Sequence, residues 1–282
     1  MKFDLTTGYN ESLKFAKSHY ENFPTASLFI PKELRNHIAV IYQFARTADD
    51  FADENNHDSK KRLELLNDFE NQLYDALNGK CTNNMFYALA NTINEKQLTI
   101  ENFTNLLFAF KQDTFKNRYN NYSELLDYCK NSANPVGRLI LELFNIRNDK
   151  AIELSDNICT GLQLTNFWQD VSVDFKKDRI YLPEEDISNF KVDRKDFENM
   201  QANINFKEMI SFQVARTQKL FDEGWKLLDY LPFRLKYQIK MTLLGGEAIL
   251  KKIEYQNFDV LLMRPKLEKL DLVNLFLRLI YK

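Results

Sequence analysis

Carboxylates recur in two stretches that otherwise read as helix: Asp49-Asp50-Phe51-Ala52-Asp53 and Asp170-Val171-Ser172-Val173-Asp174. In each, two acids stand four residues apart, which places them on one helical face about one turn apart. Two such faces turned toward each other would make a cage of hard oxygen donors. Cations would have to fill it, because bare like charges cannot be held together cheaply. Binding a diphosphate through Mg²⁺ is the chemistry that suits this donor set.

Both segments carry further polar residues at helical spacing. Tyr42, Arg46, Asp49 and Asp53 fall within about 60° of one another at ~100° per residue, with Asp50 at the edge of that arc. An arginine one turn before the acids can grip phosphate oxygens while metals bridge the carboxylates. Its neighbours Ile38, Ile41, Phe44, Ala45 and Ala48 are apolar, so this helix should be largely buried, where unpaired charge is costly. The competing account is a solvated acidic face with an internal Arg–Asp pair. In the second segment Gln163, Asn166, Asp170 and Asp174 fall within an arc of about 80°. The two amides add neutral oxygens and N–H donors suited to a metal's outer shell or to a phosphate. A plain polar stripe on an otherwise apolar helix is the alternative there.

Long helices must position these groups. Apolar residues recur at three- and four-residue steps over Asn10–Tyr20, Pro31–Asp53, Asp58–Leu77, Ile100–Lys116 and Ser123–Cys129, the helical period. The same holds for Pro135–Phe144, Lys150–Phe175, Phe206–Tyr230, Pro232–Gln256 and Leu267–Ile280. Only 7 Gly and 6 Pro occur, which favours long helices with short connections, and Pro31, Pro135 and Pro232 stand near helix starts, where a missing N–H costs little. The best β-signal, Arg179–Leu182, reads as loop. Lys176 to Asn199 is charged, contains Pro183 and directly follows the second acid pair; it is a lid over the site or a solvated connection. No linker divides the chain, so residues 1–282 read as a single all-α domain.

Bulk properties exclude several function classes. The net charge of -2 and the lack of a basic tract argue against nucleic acid as a partner. The 3 cysteines and 3 histidines are scattered, without zinc-like spacing, and point to a reduced, intracellular protein. The first ten residues lack a signal-peptide core, and no stretch is long and apolar enough to span a bilayer. The expected localisation is cytoplasmic, with a peripheral place at the inner face of the membrane left open. The stretch Asp271–Lys282 reads first as a core helix, yet it is apolar enough for transient contact with a membrane surface.

Taken together, Tyr42 to Glu54 and Gln163 to Asp174, the latter running on into Asp178-Arg179-Ile180-Tyr181-Leu182-Pro183, resemble the squalene/phytoene synthase family over nearly the whole chain. These are the head-to-head trans-isoprenyl diphosphate synthases. The resemblance implies a class I isoprenoid synthase-type helical bundle around a central cavity, a prenyl diphosphate substrate, and two or three Mg²⁺ ions. It further implies Asp49, Asp53, Asn166, Asp170 and Asp174 at the metal, with Asp50 supporting. Arg46, Tyr42, Gln163, Arg179 and Tyr181 would contact the diphosphate or order its surroundings, and Arg264 joins them by a C-terminal match.

Two further segments, His19 to Ser27 and Tyr128 to Arg138, resemble the bacterial hydroxysqualene synthase branch, thought to act in a hopanoid-type route. That branch takes presqualene diphosphate and ends with water capture. Relatives that condense two prenyl diphosphates commonly carry Ser-Lys-Ser where this chain has Tyr20-Glu21-Asn22, and a tyrosine where it has Asn131. The residues Asn131 to Asn134 either position water or simply punctuate a helix before Pro135. A carbocation formed on loss of diphosphate needs shielding and aromatic faces. Phe23, Phe44, Phe51, Phe167, Trp168 and Phe212 are candidates, against ordinary core packing for each. Three functions follow: a lyase giving hydroxysqualene with no NADPH, a transferase condensing two farnesyl or geranylgeranyl diphosphates, and a scaffold, which the intact aspartates argue against.

Overall fold

The computed structural model describes residues 3–19, 30–53 and 57–281, and every regular element among them is helical. In chain order the helices are α1 (Leu5–His19), α2 (Lys32–Asp53), α3 (Ser59–Leu77), α4 (Asn84–Lys96), α5 (Ile100–Asp113), α6 (Tyr122–Ser132) and α7 (Asn134–Leu143). They continue with α8 (Asp149–Gln169), α9 (Val171–Lys176), α10 (Glu184–Asn189), α11 (Arg194–Glu198) and α12 (Ile204–Gly224). A 3₁₀ turn (Trp225–Tyr230), α13 (Phe233–Tyr255) and α14 (Lys269–Tyr281) complete the series. Side-chain caps mark several starts: Asp58, Asn83, Asn121 and Asn203 each accept a backbone N–H three residues on, satisfying donors a helix leaves orphaned.

The sequence period misses α4, whose asparagines and threonine dilute the apolar rhythm, and it runs one helix through Lys150–Phe175 where the structure has two. The stretch expected to be irregular, Lys176 to Asn199, contains α10 and α11, the latter opened by an Asp193–Asp196 capping box. The helix expected over Phe206–Tyr230 tightens to 3₁₀ after Gly224.

Two compact units gather from these elements: Met1–Lys116 with Pro135–Asn148, and Asn117–Asn134 with Asp149–Lys282. In the first, α2 packs against α1, α3, α4 and α5, and its core is ringed by phenylalanines. Phe44 stacks on Phe69 at 5.1 Å and meets Phe103 edge-on at 5.5 Å, geometries that aromatic quadrupoles favour. Helices α1 and α4 approach so closely at Gly8 that a Cβ there would lie 2.3 Å from the Asn84 carbonyl, a spacing only glycine permits.

The second unit is built on α8, which packs against α12 and α13. The ring of Phe221 from α12 wedges between Gly161 on α8 and Gly246 on α13, where a Cβ would come within 2.8 and 2.7 Å of it. Trp168 is fully buried and donates its indole N–H to Thr217 Oγ1 at 2.8 Å. That bond ties α8 to α12.

Candidate active site

In the first unit the acid segment closes the C-terminal end of α2. Phe44, Ala48 and Ala52 bury one face completely, which leaves Arg46, Asp49 and Asp50 on the other, each between 41% and 46% exposed. The guanidinium of Arg46 spans both acids, Nη1 at 3.2 Å from Asp49 Oδ2 and Nη2 at 2.8 Å from Asp50 Oδ1. One correction follows. The acids are half-exposed, not buried, because the apolar face of α2 alone takes the core. Arg46 grips its own helix's carboxylates, with the edge residue Asp50 holding the shorter contact, since i+3 and i+4 neighbours lie within reach of one guanidinium. This is the internal pair of the competing account.

Asp53, the last residue of α2, is exposed. Tyr42 donates its hydroxyl to the His19 carbonyl at 3.2 Å. Burial pushes that phenol's pKa up, with Arg46 opposing. Glu54, the segment Tyr20 to Ser27 and the candidate Phe23 lie outside the described residues.

In the second unit Gln163 and Asn166 lie on α8, half-buried and exposed respectively. Asp170 interrupts the helix, with φ -104° and ψ 11°. The hydrogen-bond ladder nevertheless persists across it, Asp170 N–H to Asn166 O at 2.9 Å and Asp174 N–H to Asp170 O at 2.8 Å. The cause is local: a short aspartate tolerates the torsion, and the β-branched Val171 and Val173 that follow are indifferent helix formers. Asp174 therefore stays one turn along, half-buried on α9.

Arg264, from the loop between α13 and α14, holds Asp170 with two nitrogens: Nε to Oδ1, and Nη2 to Oδ2 at 3.0 Å. Asp170 first, and Asp174 behind it, hold the arginine's pKa above its usual value. The neighbouring residues repeat the match, since the buried Gln169 donates Nε2 to the Pro265 carbonyl at 2.5 Å. Sequence reasoning found Arg264 through its C-terminal match but gave no signal for Gln169.

The loop after α9 is fastened by residues the sequence did not single out. Arg118 reaches Asp178 Oδ1 at 2.6 Å and its carbonyl at 2.5 Å, Asn117 reaches Oδ2 at 3.0 Å, and Ile180 donates to the Asn117 carbonyl. Arg179 is half-buried. Tyr181 stacks flat on Phe167, centroids 3.8 Å apart and planes 7° apart, with Tyr119 and Tyr128 within about 6 Å, an aromatic cluster that takes one ring from α8 and one from the loop after α9. Further along, Asp186 on α10 accepts from Gln213 at 2.9 Å and Arg216 at 2.8 Å, all buried or nearly so. Arg216 also lies 3.5 Å over the Tyr122 ring. This stretch is anchored to α12.

Of the other aromatic candidates, Phe44 and Trp168 are core residues, Phe51 packs edge-on against Phe69, and Phe212 is exposed beside Phe190. Asn131 turns its amide back to the Asp127 carbonyl, and Asn134 accepts from Thr160 at 2.9 Å. Between them, the Ser132 hydroxyl is buried with no partner among the described residues.

Among the described residues no three His, Cys, Asp or Glu side chains are already drawn together around one point. What each half offers is a carboxylate set of hard, partly solvated oxygens whose charge a guanidinium now balances. Such a set fits an oxygen-seeking divalent cation, and the guanidinium forks fit phosphate.

Residues 16–271 match the family model described as squalene/phytoene synthase. The chain is 34% identical to a hydroxysqualene synthase of Zymomonas mobilis over 213 residues, covering 74% of this chain and 70% of that one. To a hydroxysqualene synthase of Rhodopseudomonas palustris it is 30% identical over 264 residues, covering 93% and 88%. Among solved structures, a squalene synthase of Alicyclobacillus acidocaldarius superimposes with a TM-score of 0.86 at 39% identity, over 90% of this chain and 95% of that one. The all-α fold is that of squalene synthase-type isoprenoid synthases.

Proposed function

The chain belongs to the squalene/phytoene synthase family, and from that premise we propose that it ionises presqualene diphosphate with Mg²⁺ and quenches the carbocation with water to give hydroxysqualene. The observation that carries this reading is the acid-and-arginine set at both motif helices, Arg46 on Asp49 and Asp50, and Arg264 on Asp170. It occurs in a chain with two hydroxysqualene synthase relatives over most of its length.

Asp49 and Asp53 would hold Mg²⁺ in the first unit, and Asn166, Asp170 and Asp174 would do so in the second. When bound, Mg²⁺ supplies neutralisation of the charge that develops on the departing diphosphate oxygens. The protein's own groups do the rest. Arg46 and Arg264 present forked donors that match phosphate oxygens. Gln163, Arg179 and Tyr42 supply further N–H and O–H donors. The aromatic cluster of Tyr119, Tyr128, Phe167 and Tyr181 would shield a cation from early water. As the C–O bond to diphosphate breaks, water adds to the cationic carbon and its surplus proton passes to the departing diphosphate. The unpartnered Ser132 hydroxyl is the group suited to hold that water.

A second reading, head-to-head condensation of two prenyl diphosphates, is favoured by the name of the 39%-identical structural relative, a squalene synthase. The test is purified protein with Mg²⁺, given presqualene diphosphate or farnesyl diphosphate without reductant. A hydroxylated thirty-carbon product from the first substrate alone supports the lyase. Consumption of farnesyl diphosphate alone moves the reading to the transferase, and no turnover of either by folded protein refutes both.

A further inference from the structure

Helix α14 is apolar on two sides. Leu275 and Leu279 face inward, and the helix is strapped along α13 by Lys252 to Asp271 at 2.7 Å and Glu247 to Arg278 at 3.8 Å. Its outward side, which a helix on a protein surface normally keeps polar, carries Leu270, Val273, Phe276 and Leu277, all exposed. The loop leading into it is more extreme: Leu262 is 79% exposed and Met263 60%. The next residue, Arg264, turns in to hold Asp170. The chain thus passes from a bare apolar tip to the candidate active site in a single step.

The charge nearby says what covers this surface. Residues 233–282 hold ten Lys and Arg against five Asp and Glu, in a chain whose totals are 38 and 40. The exposed charges flanking the apolar groups in sequence are Lys251 and Lys266 together with Glu254 and Glu268, so the excess is carried by the segment as a whole. No helix among the described residues is long and apolar enough to cross a membrane. A self-paired copy would bring together two segments of net positive charge, whereas an anionic bilayer complements both the apolar stripe and that charge.

We propose that the outer face of α14 and the Leu262–Met263 tip dock on the surface of an anionic lipid bilayer, with the helix lying in the interface plane. Docking would set the Arg264 loop at the boundary where a greasy diphosphate enters or its product leaves. That coupling rests on the proposed reaction; the docking itself does not.

The test is co-flotation of the full chain with vesicles of phosphatidylcholine alone, or of phosphatidylcholine with phosphatidylglycerol, without substrate. Flotation with the anionic vesicles is expected, at least tenfold weaker with neutral ones or at high salt. The double variants L262D/M263D and V273D/L277D should each lose binding tenfold or more and keep the parent's melting temperature and monomer sedimentation. V273D/L277D should also keep turnover of detergent-dispersed substrate. No flotation of the parent with anionic vesicles overturns the proposal, as do variants that float equally well. A parent dimer that the variants dissociate assigns the face to a second copy instead. Because vesicle binding is read without turnover, its failure leaves the reading of the active site untouched.

Discussion

Replacing Asp170 with Asn removes one negative charge and keeps the side chain's size, so it separates what the carboxylate does for folding from what it does for chemistry. The folding cost is small. The Arg264–Asp170 pair is 37% and 25% exposed at its two side chains, so water and salt screen much of it, and the amide still accepts one N–H. A loss of about 1 kcal/mol is expected, which for a chain of this size lowers the melting temperature by roughly 2–4 °C. On the proposed reading the cost to turnover is larger, because this carboxylate would hold the Mg²⁺ that neutralises the departing diphosphate. A loss of about 2.7 kcal/mol or more, roughly a hundredfold, is expected in kcat. It should be measured with presqualene diphosphate across a Mg²⁺ titration, beside a thermal melt of the same preparation. Turnover within about threefold of the parent at every Mg²⁺ concentration would refute the assignment. So would a melting loss above roughly 8 °C, since the variant would then be inactive through misfolding.

Three other perturbations test different parts of the structure. Asp186→Asn strands Arg216, 13% exposed, whose Nε already lacks a partner. A loss of about 3 kcal/mol or more is expected in denaturant unfolding, with partial recovery in the Asp186→Asn/Arg216→Met double variant. Ser132→Ala removes an unpartnered buried hydroxyl, so stability should hold within about 1 kcal/mol, while product analysis should show the hydroxylated share falling and substrate consumption persisting. His37, enclosed by Tyr9, Thr92 and Glu95, has its pKa lowered from 6.5 chiefly by burial, with Glu95 opposing. The folded state therefore resists protonation more than the unfolded chain does. Its contribution is present above pH 6.5 and lost as pH falls from there through the lowered folded value. The melting temperature of the parent should drop between pH 7 and 5 more steeply than that of His37→Gln; parallel curves would remove the histidine from the account.

The helices and the acid segments were legible because both are local: a 3.6-residue period and a four-residue spacing can be read without knowing the fold. What was missed depends on partners distant in sequence. The torsion at Asp170 splits a helix that periodicity runs straight through, and α4 is hidden by the polar residues that α1 and α2 cover, Thr92 bonding to Tyr9 and His37 among them. Arg46 was placed on the right face, but its choice of carboxylates over solvent is a matter of side-chain reach. Arg118 on Asp178 and Arg216 on Asp186 give no sequence signal at all, being lone arginines in ordinary surroundings. The Leu262–Met263 tip could not be told from a core segment, because hydrophobicity records what a residue prefers and not whether the fold grants it.

One device recurs in both units and ties their structure to the proposed chemistry. Carboxylates about one turn apart repel each other, and each unit offsets this with a guanidinium of its own. In the first unit it comes from one turn earlier in the same helix; in the second it comes from ninety-four positions away. The same oxygens cannot serve a guanidinium and a divalent cation at full strength, since both bind along the carboxylate lone pairs. On the proposed reading, a cation taking those oxygens would free the arginine, and its fork would then be open to phosphate oxygens. An arginine so placed keeps the acids compatible with folding, and on the proposed reading it would grip the diphosphate once substrate binds. Lysine could do the first by charge alone, but it lacks the planar pair of donors for the second.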